Sequence, residues 1–151
     1  MNMMSDPNAA RKAWLGLLAK SPAADVTRLW AAMQMQPAYT ILRAPEIGGV
    51  MVRGRAGAVG AAFNLGEMTV TRASVKLADG AVGHGYVQGR DKDHALTAAL
   101  IDALMQTEAA EAIDRGVLAP LRSAISARKA TRAAKAAATK VDFFTMVRGE
   151  D

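Results

Sequence analysis

The stretch from Glu67 to Gln106 reads EMTVTRASVKLADGAVGHGYVQGRDKDHALTAALIDALMQ and carries the clearest structural signals in the chain. Its residues 68–77 are rich in Thr and Val, which suit a pleated strand, and they run into Asp79-Gly80, a pair typical of a two-residue hairpin turn. Residues 81–88 form the returning strand. The stretch therefore predicts a strand, a tight turn, a second strand and then a helix.

The turn type determines which side chains share a face of this hairpin. A type I′ turn at Asp79-Gly80 places Leu77 opposite Val82, and the same register continues along both strands. One face then has two glycines beside two cations and a hydroxyl, which predicts an open, positively charged surface for an anion or another polypeptide. An ordinary solvated sheet face is the alternative. The residues of that face are Arg72, Ser74 and Lys76, opposite Val87, Gly85 and Gly83.

A helix follows the second strand. Asp91 is well placed to cap it, so the helix is expected to begin at about Lys92. Arg90 lies beside the free N–H groups of this helix start, which favours a phosphate site, while a carboxylate cap at Asp91 competes with an anion there. A purely structural corner is the alternative. The predicted buried stripe comprises Leu96, Leu100, Ile101, Ala103, Leu104 and Met105.

The N-terminal third predicts two short antiparallel helices. Asp6-Pro7 and Ser21-Pro22 each pair a capping residue with a proline at a helix start, and Pro37 stops the second helix. Trp14 and Trp30 are expected in the core. Beyond them, residues 38–43 and 50–53 read as strands around a turn at 45–49. Residues 53–60 form a glycine-rich loop without the Walker spacing, so a flexible connection is favoured over a phosphate loop.

The C-terminal third is strongly basic. The central helix is expected to end near Arg115-Gly116, and a final helix to run from about Leu118 to Lys140. Residues 117–140 hold six cations and no acid, while the rest of the chain has 13 basic and 14 acidic residues. Such a helix binds nucleic acid, lies in solvent, or rests against an acidic subunit. The apolar ending 141–148 predicts a segment that docks on a partner through Phe143, Phe144, Met146 and Arg148; the alternative is that it completes the domain's own sheet.

Together these signals predict one α+β domain over residues 1–151. We expect an antiparallel sheet of about four strands packed against helices, an N-terminal helical hairpin, a long C-terminal helix and a terminal extended segment. The length suits a single domain with a core, and the absence of cysteine excludes disulfides and thiolate metal sites. No apolar run approaches the roughly 18 residues of a membrane span, and the start lacks a signal-peptide pattern. The expected location is the cytoplasm.

The run TVTRASVKLADGAVGHGYVQGRDKDHALTAALIDALMQ, residues 69–106, and the ending VDFFTMVRGED, residues 141–151, closely resemble the PhnG family. These proteins are the G subunits of the bacterial carbon–phosphorus lyase core complex. Residues 1–45 and 108–140 match mainly in pattern. Where this chain has Ala58 and Ala62, the family tends to have a glycine and a proline, which weakens any specific role for the loop before Phe63.

The resemblance implies a required, non-catalytic subunit that works with the H, I and J subunits and with ATP-binding K and L proteins. The assembly moves the ribose triphosphate of ATP to a phosphonate and releases adenine, so ATP and phosphonate belong to the complex and no cofactor is expected on this chain. The resemblance assigns no catalytic residue to any position of this chain. A contact between two copies of the chain is a further expectation.

The residues themselves show no nucleophile beside a base, no paired carboxylates and no metal ligand set. Both histidines, His84 and His94, are expected in hydrogen-bonded or core roles. Two other functions remain open: a small basic nucleic-acid-binding protein acting through Arg122–Lys140, and an independent enzyme using Arg72, Arg90 and His94 on a phosphorylated substrate. The candidate contacts for an anion or a partner are Arg72, Lys76, Arg90 and His94.

Overall fold

The computed structural model describes residue 6, residues 8–57 and residues 59–141. Two helices, α1 (Ala9–Lys20) and α2 (Ala23–Met33), precede three strands, β1 (Tyr39–Arg55), β2 (Ala62–Leu77) and β3 (Val82–Gln88). Helix α3 (Lys92–Leu104), a short α4 (Ala110–Ile113), a π-helical turn (Asp114–Leu118) and the long α5 (Ala119–Ala138) complete the described chain. The sheet is antiparallel in the order β1-β2-β3. The α+β architecture, the helical hairpin and the long C-terminal helix are thus confirmed.

Among the described residues the sheet has three strands rather than about four, because the predicted turn at 45–49 is wrong. Strand β1 is continuous over 17 residues. Its pairing with β2 is irregular between Ile41 and Arg43 and again between Arg43 and Glu46, so the extra residues bulge out of the ladder. Pro45 lies in the second bulge of an edge strand, where a missing N–H leaves no ladder bond unmade.

The β2–β3 hairpin exists as predicted, but its register is shifted by one residue. The loop has three residues, Ala78 to Gly80: Leu77 donates its N–H to Ala81 at 2.8 Å, and Gly80 takes a φ of +100°. Lys76 therefore pairs with Val82. The shift moves Gly83 and Gly85 to the buried face, so the predicted surface of glycines beside cations is wrong.

Both glycines instead allow close packing of the sheet on α3. A Cβ at Gly83 would collide with the backbone of Ala99 and Ala103, and one at Gly85 with the carbonyl of Ala95. Helix α3 begins at Lys92, and the Asp91 carboxylate accepts the His94 N–H at 3.0 Å, as the sequence predicted. This helix is the centre of the core, packed against residues from both strands and from α1, α2 and the π-helical turn. 

The end of α3 differs from the prediction. It ends at Leu104, not near Arg115-Gly116, and Gly116 lies inside the helical run that leads into α5. A Cβ at Gly116 would collide with the Met33 sulfur, so this glycine allows the π-helical turn to pack against α2. Gly116 thus lies at a contact between two helices, which a sequence pattern cannot distinguish from a helix end.

The far end of the β1–β2 hairpin extends beyond the rest of the fold. We call this part, Val50–Arg55 and Ala62–Met68 with the turn between them, the ribbon. Strand β3 pairs with β2 only from Val70 to Lys76, so among the described residues the ribbon has two strands. Between residues 27 and 69, none of the described residues is buried. The predicted loop at 53–60 is therefore partly strand, because β1 continues to Arg55.

Candidate ligand and subunit contact surface

The sheet has one face on α3 and one face towards solvent, which we call the outer face. Alternation along the strands places Arg72, Ser74 and Lys76 of β2 there, next to Tyr86, His84 and Val82 of β3. The predicted cations Arg72 and Lys76 thus do share an exposed surface. Their neighbours are an aromatic ring and an imidazole rather than glycines.

Arg72 is held in an ion-pair cluster. Its Nε donates to the Glu46 carboxylate, which also accepts a hydrogen bond of 2.7 Å from Arg43 Nη1. The hydrogen bond from Arg72 and then that from Arg43 lower the pKa of Glu46 below its ordinary value. All three side chains are about half exposed. Two cations share one carboxylate, so the cluster keeps a net positive charge on the outer face.

Ser74 and His84 form a second polar pair on the same face. Ser74 Oγ lies 2.8 Å from His84 Nδ1, and the two residues are directly opposite in the ladder. Tyr86 is 48% exposed beside them. The outer face therefore offers hydroxyl, imidazole, phenol and guanidinium groups to a ligand or partner, of which the sequence had placed only the cations and the Ser74 hydroxyl on this face.

The other two predicted contact residues lie elsewhere. Arg90 is exposed at the start of α3, where the Asp91 carboxylate already caps the helix. His94 is buried, and its Nε2 donates to the Leu18 carbonyl at 2.9 Å. Burial lowers the pKa of His94, partly offset by that hydrogen bond. The structure therefore does not bring His94 to the surface with Arg72, and His94 instead links α3 to α1.

The most connected polar group of the core, Asp102, was missed at the sequence level. Its side chain is fully buried and accepts from Arg11 Nη2 at 2.7 Å and from Arg11 Nε at 3.1 Å. Trp14 Nε1 and the His84 backbone N–H each donate to it at 2.8 Å. The hydrogen bonds to Asp102 raise the pKa of Arg11 further above its ordinary value. The only sequence signal is a lone acid within the apolar run LTAALIDALM.

This buried carboxylate connects the outer face to the helices. Asp102 lies on α3, its bidentate partner Arg11 and Trp14 lie on α1, and His84 lies on β3. The backbone N–H of His84 donates to the Asp102 carboxylate on the buried side of the sheet. This hydrogen bond helps to hold the His84 imidazole beside Ser74 on the outer face. We therefore regard Asp102 as a group that positions the outer face, not one that contacts a ligand.

Helix α5 presents the basic surface that the sequence predicted. Two of its cations form ion pairs within the chain: Arg122 with Asp114 at 2.8 Å and Arg128 with Asp25 at 3.0 Å. Within the described ranges, Lys129, Arg132 and Lys135 form no ion pair and are exposed. The four proposed docking residues, Phe143, Phe144, Met146 and Arg148, lie outside the described residues.

Two kinds of feature do not occur among the described residues. None of the helices there combines the length and apolar character of a membrane span. No cluster of three or more His, Cys, Asp or Glu side chains suited to a metal ion occurs in that part of the chain.

Comparison with known proteins gives consistent results across nearly the whole chain. The sequence model of the family described as "Phosphonate metabolism protein PhnG" matches residues 9–149. A relative from Rhizobium meliloti (strain 1021), the alpha-D-ribose 1-methylphosphonate 5-triphosphate synthase subunit PhnG, is 44% identical over 143 residues. That alignment covers 95% of this chain and 92% of the relative. The chain therefore belongs to the PhnG family of phosphonate metabolism proteins.

Proposed function

We propose that this chain is a non-catalytic subunit of a carbon–phosphorus lyase core complex, required for transfer of the ribose triphosphate of ATP to an organic phosphonate. In that reaction a phosphonate oxygen replaces adenine at the anomeric carbon of ATP, so the product is ribose 1-methylphosphonate 5-triphosphate when methylphosphonate is used. The observation that carries the proposal is the 44% identity to a synthase subunit over 95% of the chain.

The proposal includes the partners and the place of action. The expected partners are the H, I and J subunits, with ATP-binding K and L proteins, acting in the cytoplasm. ATP and phosphonate bind to the assembly, and this chain holds no cofactor of its own. The half-exposed apolar side chains of the described part, Phe63 and Leu65 among them, support a subunit that is completed by a neighbour.

An omit-one reconstitution tests the proposal. The assembly is purified with and without this chain, supplied with ATP and methylphosphonate, and the release of adenine is measured by chromatography. We expect release from the full assembly, little from the assembly lacking this chain, and none from this chain alone. Full activity without the chain, or adenine release by the isolated chain, would contradict the proposal.

We propose that the outer face and the C-terminal segment contact the substrate or other subunits. Arg72→Ala, Lys76→Ala and Arg90→Ala should leave the fold intact, because all three side chains are exposed. A variant that lowers adenine release without loosening the assembly identifies a substrate contact, and one that loosens the assembly identifies an interface. Deletion of residues 141–151 should impair assembly if this segment docks on a partner. Unaltered assembly of the deletion variant would contradict the docking role.

A nucleic-acid-binding function is the second candidate, supported by the exposed cations Lys129, Arg132 and Lys135 on α5. Phosphate neutralisation by such a helix gives an affinity that falls steeply with salt. Fluorescence anisotropy with a duplex DNA at two salt concentrations measures this. If the chain does not bind the duplex even at low salt, the nucleic-acid-binding function is excluded.

A further inference from the structure

We propose that the groove between α1 and α5 is the docking site for an amphipathic, acidic helix of a different subunit of the synthase. This inference rests on the proposed function, because it assumes that such subunits exist for this chain. It adds the surface through which this chain contacts one of them and the chemistry of the segment that binds there.

The groove lies between α1 and the helical run that leads from the π-helical turn into α5, and its volume is about 680 Å³. Along α1 it runs for about 15 Å, or roughly three helical turns. A Cβ at Gly16 would meet no atom within 4 Å, so the groove is open where α1 lacks a side chain. It therefore has the length of one face of a short helix. Its apolar lining includes Ala13, Trp14, Leu17, Leu118 and Ile125.

Cations collect at one end of this groove. Lys20 at the end of α1 lies with Arg128, Lys129 and Arg132 of α5 around a second concavity of about 340 Å³, which shares Ile125 with the groove. Of these four cations, only Arg128 forms an ion pair within the described part of the chain. Residues 117–140 hold six cations and no acid, so the excess positive charge of the chain is concentrated here. The complementary surface has an apolar face with carboxylates beside it.

The apolar lining favours a polypeptide over a nucleic acid. A phosphodiester backbone neutralises cations, but it has no apolar face to fill a groove beside Trp14 and Leu17. An amphipathic helix presents apolar side chains at spacings of three and four residues, with polar residues on its flanks. Such a helix with acidic flanks satisfies both the apolar lining and the cations.

A second copy of this chain offers no such helix among its described elements. Helices α1 and α5 have cations and no acid, and α2 has one Asp and one Arg. In α3 the exposed acid is Asp93, which lies next to Lys92, and α4 has only four residues. The matching acidic helix therefore belongs to a different polypeptide.

The residues outside the described ranges at either end of the chain also match poorly. Residues 1–5 contain no acid, and residues 142–151 contain three. However, Leu118 lies about 34 Å back along the helical run from residue 141, at ~1.5 Å per residue. Ten residues span at most ~33–36 Å when fully extended. The terminal segment would need its full length to reach Leu118, so it cannot lay a helix along the groove.

Gly16 provides a test by size alone. Gly16→Leu fills the groove without an internal clash at its Cβ, and Gly16→Ala, which adds a single carbon, is its matched control. Glycine is unfavourable inside a helix, so both variants should leave the Tm of the isolated chain unchanged or raise it. Weaker assembly of a chain that is at least as stable as the wild type then reports on docking.

A second pair of variants tests the charge. Lys129→Glu/Arg132→Glu reverses two exposed cations at the end of the groove. The matched control, Arg53→Glu/Arg55→Glu, makes the same change of net charge at two exposed cations of the ribbon. A difference between the two variants therefore reports on the position of the charge rather than on its total.

The experiment is a competition during assembly. Wild-type and variant chains with different tags are mixed with the remaining synthase subunits, and the ratio of tags in the purified complex is measured. We expect Gly16→Leu and Lys129→Glu/Arg132→Glu each to be outcompeted at least ~10-fold, and both control variants to compete within about twofold. The loss for the charge variant should shrink as the salt concentration is raised, because salt screens exposed charges.

Cross-linking identifies the occupant of the groove. The chain contains no cysteine, so Ala13→Cys at the exposed rim can be labelled with a photoactivated cross-linker before assembly. We expect a cross-link to an acid-rich segment of a different subunit in the purified complex. A cross-link to a second copy, to residues 142–151 or to nucleic acid would overturn the inference while leaving the proposed function intact.

The competition can also overturn the inference by itself. Equal competition by Gly16→Leu and Gly16→Ala would show that the groove is not filled by a partner, and an equal loss for the two charge variants would show that only net charge matters. Failure of the wild-type chain to enter any complex would instead refute the proposed function, and the inference with it.

Discussion

Asp102→Ala should be among the most destabilising substitutions in this protein. The wild-type carboxylate is fully buried and accepts four hydrogen bonds, two from Arg11, one from Trp14 and one from the His84 backbone. Alanine removes every acceptor and leaves the other donors in place. Breaking a buried ion pair from one side typically costs about 3–5 kcal/mol, and each buried donor left unsatisfied costs about 1–3 kcal/mol. Since these costs overlap, we expect a total loss of about 3–5 kcal/mol.

Such a loss is a large part of the roughly 5–15 kcal/mol that stabilises an average domain. For a chain of this size, it corresponds to a fall in Tm of roughly 6–20 °C. Urea unfolding of the isolated chain, followed by far-ultraviolet circular dichroism and tryptophan fluorescence, measures it. Fluorescence is informative because Trp14 itself donates to Asp102.

The matched control is Asp114→Ala. Asp114 also pairs with an arginine, Arg122 at 2.8 Å, but both side chains are about half exposed. An exposed pair contributes about 0–1 kcal/mol, so this variant should unfold close to the wild type. The single variant Arg11→Met and the double variant Arg11→Met/Asp102→Ala complete a double-mutant cycle, in which we expect a coupling free energy above ~1 kcal/mol. A loss below ~1 kcal/mol for Asp102→Ala, or one equal to that of Asp114→Ala, would refute the reasoning.

Three further predictions concern other parts of the molecule. Burial lowers the pKa of His94, so at a pH near or below the ordinary histidine pKa of about 6.5 the unfolded state binds more protons than the folded state. The free energy of unfolding should therefore fall as the pH drops from about 7.5 to 5.5. In urea titrations, His94→Gln should make this pH dependence weaker. Gly85→Ala should cost about 1–3 kcal/mol because its Cβ would meet the α3 backbone, whereas Gly48→Ala should stay within ~1 kcal/mol in the same unfolding assay. Arg72→Ala should leave Tm within roughly 2 °C, because its ion pair with Glu46 is exposed, and a larger fall in a thermal scan would show that the cluster supports the fold.

Much of the fold could be predicted because its signals are local. Asp91 caps α3 through the hydrogen bond that its sequence position suggests. Ser21-Pro22 separates two helices, and the Thr- and Val-rich run of β2 pairs with β3. In each case the information lies within a few residues, so one sequence is sufficient.

The incorrect predictions depended on contacts distant in sequence. Pro45 and the glycines after it are typical of a turn, yet a bulge on an edge strand accommodates Pro45, and Gly48 and Gly49 pair regularly with β2. Gly83 and Gly85 are needed by a helix that packs on them, and the one-residue slip followed from counting Asp79-Gly80 as the entire loop.

The candidate surface was predicted in part. Arg72 and Lys76 do lie together in the open, because alternation along one strand is reliable within a short segment. His94 was both a candidate contact and an expected core or hydrogen-bonded histidine, and its burial with a hydrogen bond to the Leu18 carbonyl confirms the second role. Asp102 could not be assigned a role, since its partners are far away in the sequence.

The separation between Arg11 and Asp102, 91 positions along the chain, has a consequence for biosynthesis. During synthesis α1 leaves the ribosome long before α3 has been made. Arg11 therefore has no Asp102 to pair with while the strands of the sheet are still being synthesised. The N-terminal helix is made first, but its ion pair with α3 forms late. In nascent chains that stop before residue 102, this helix would be accessible to proteases and chaperones.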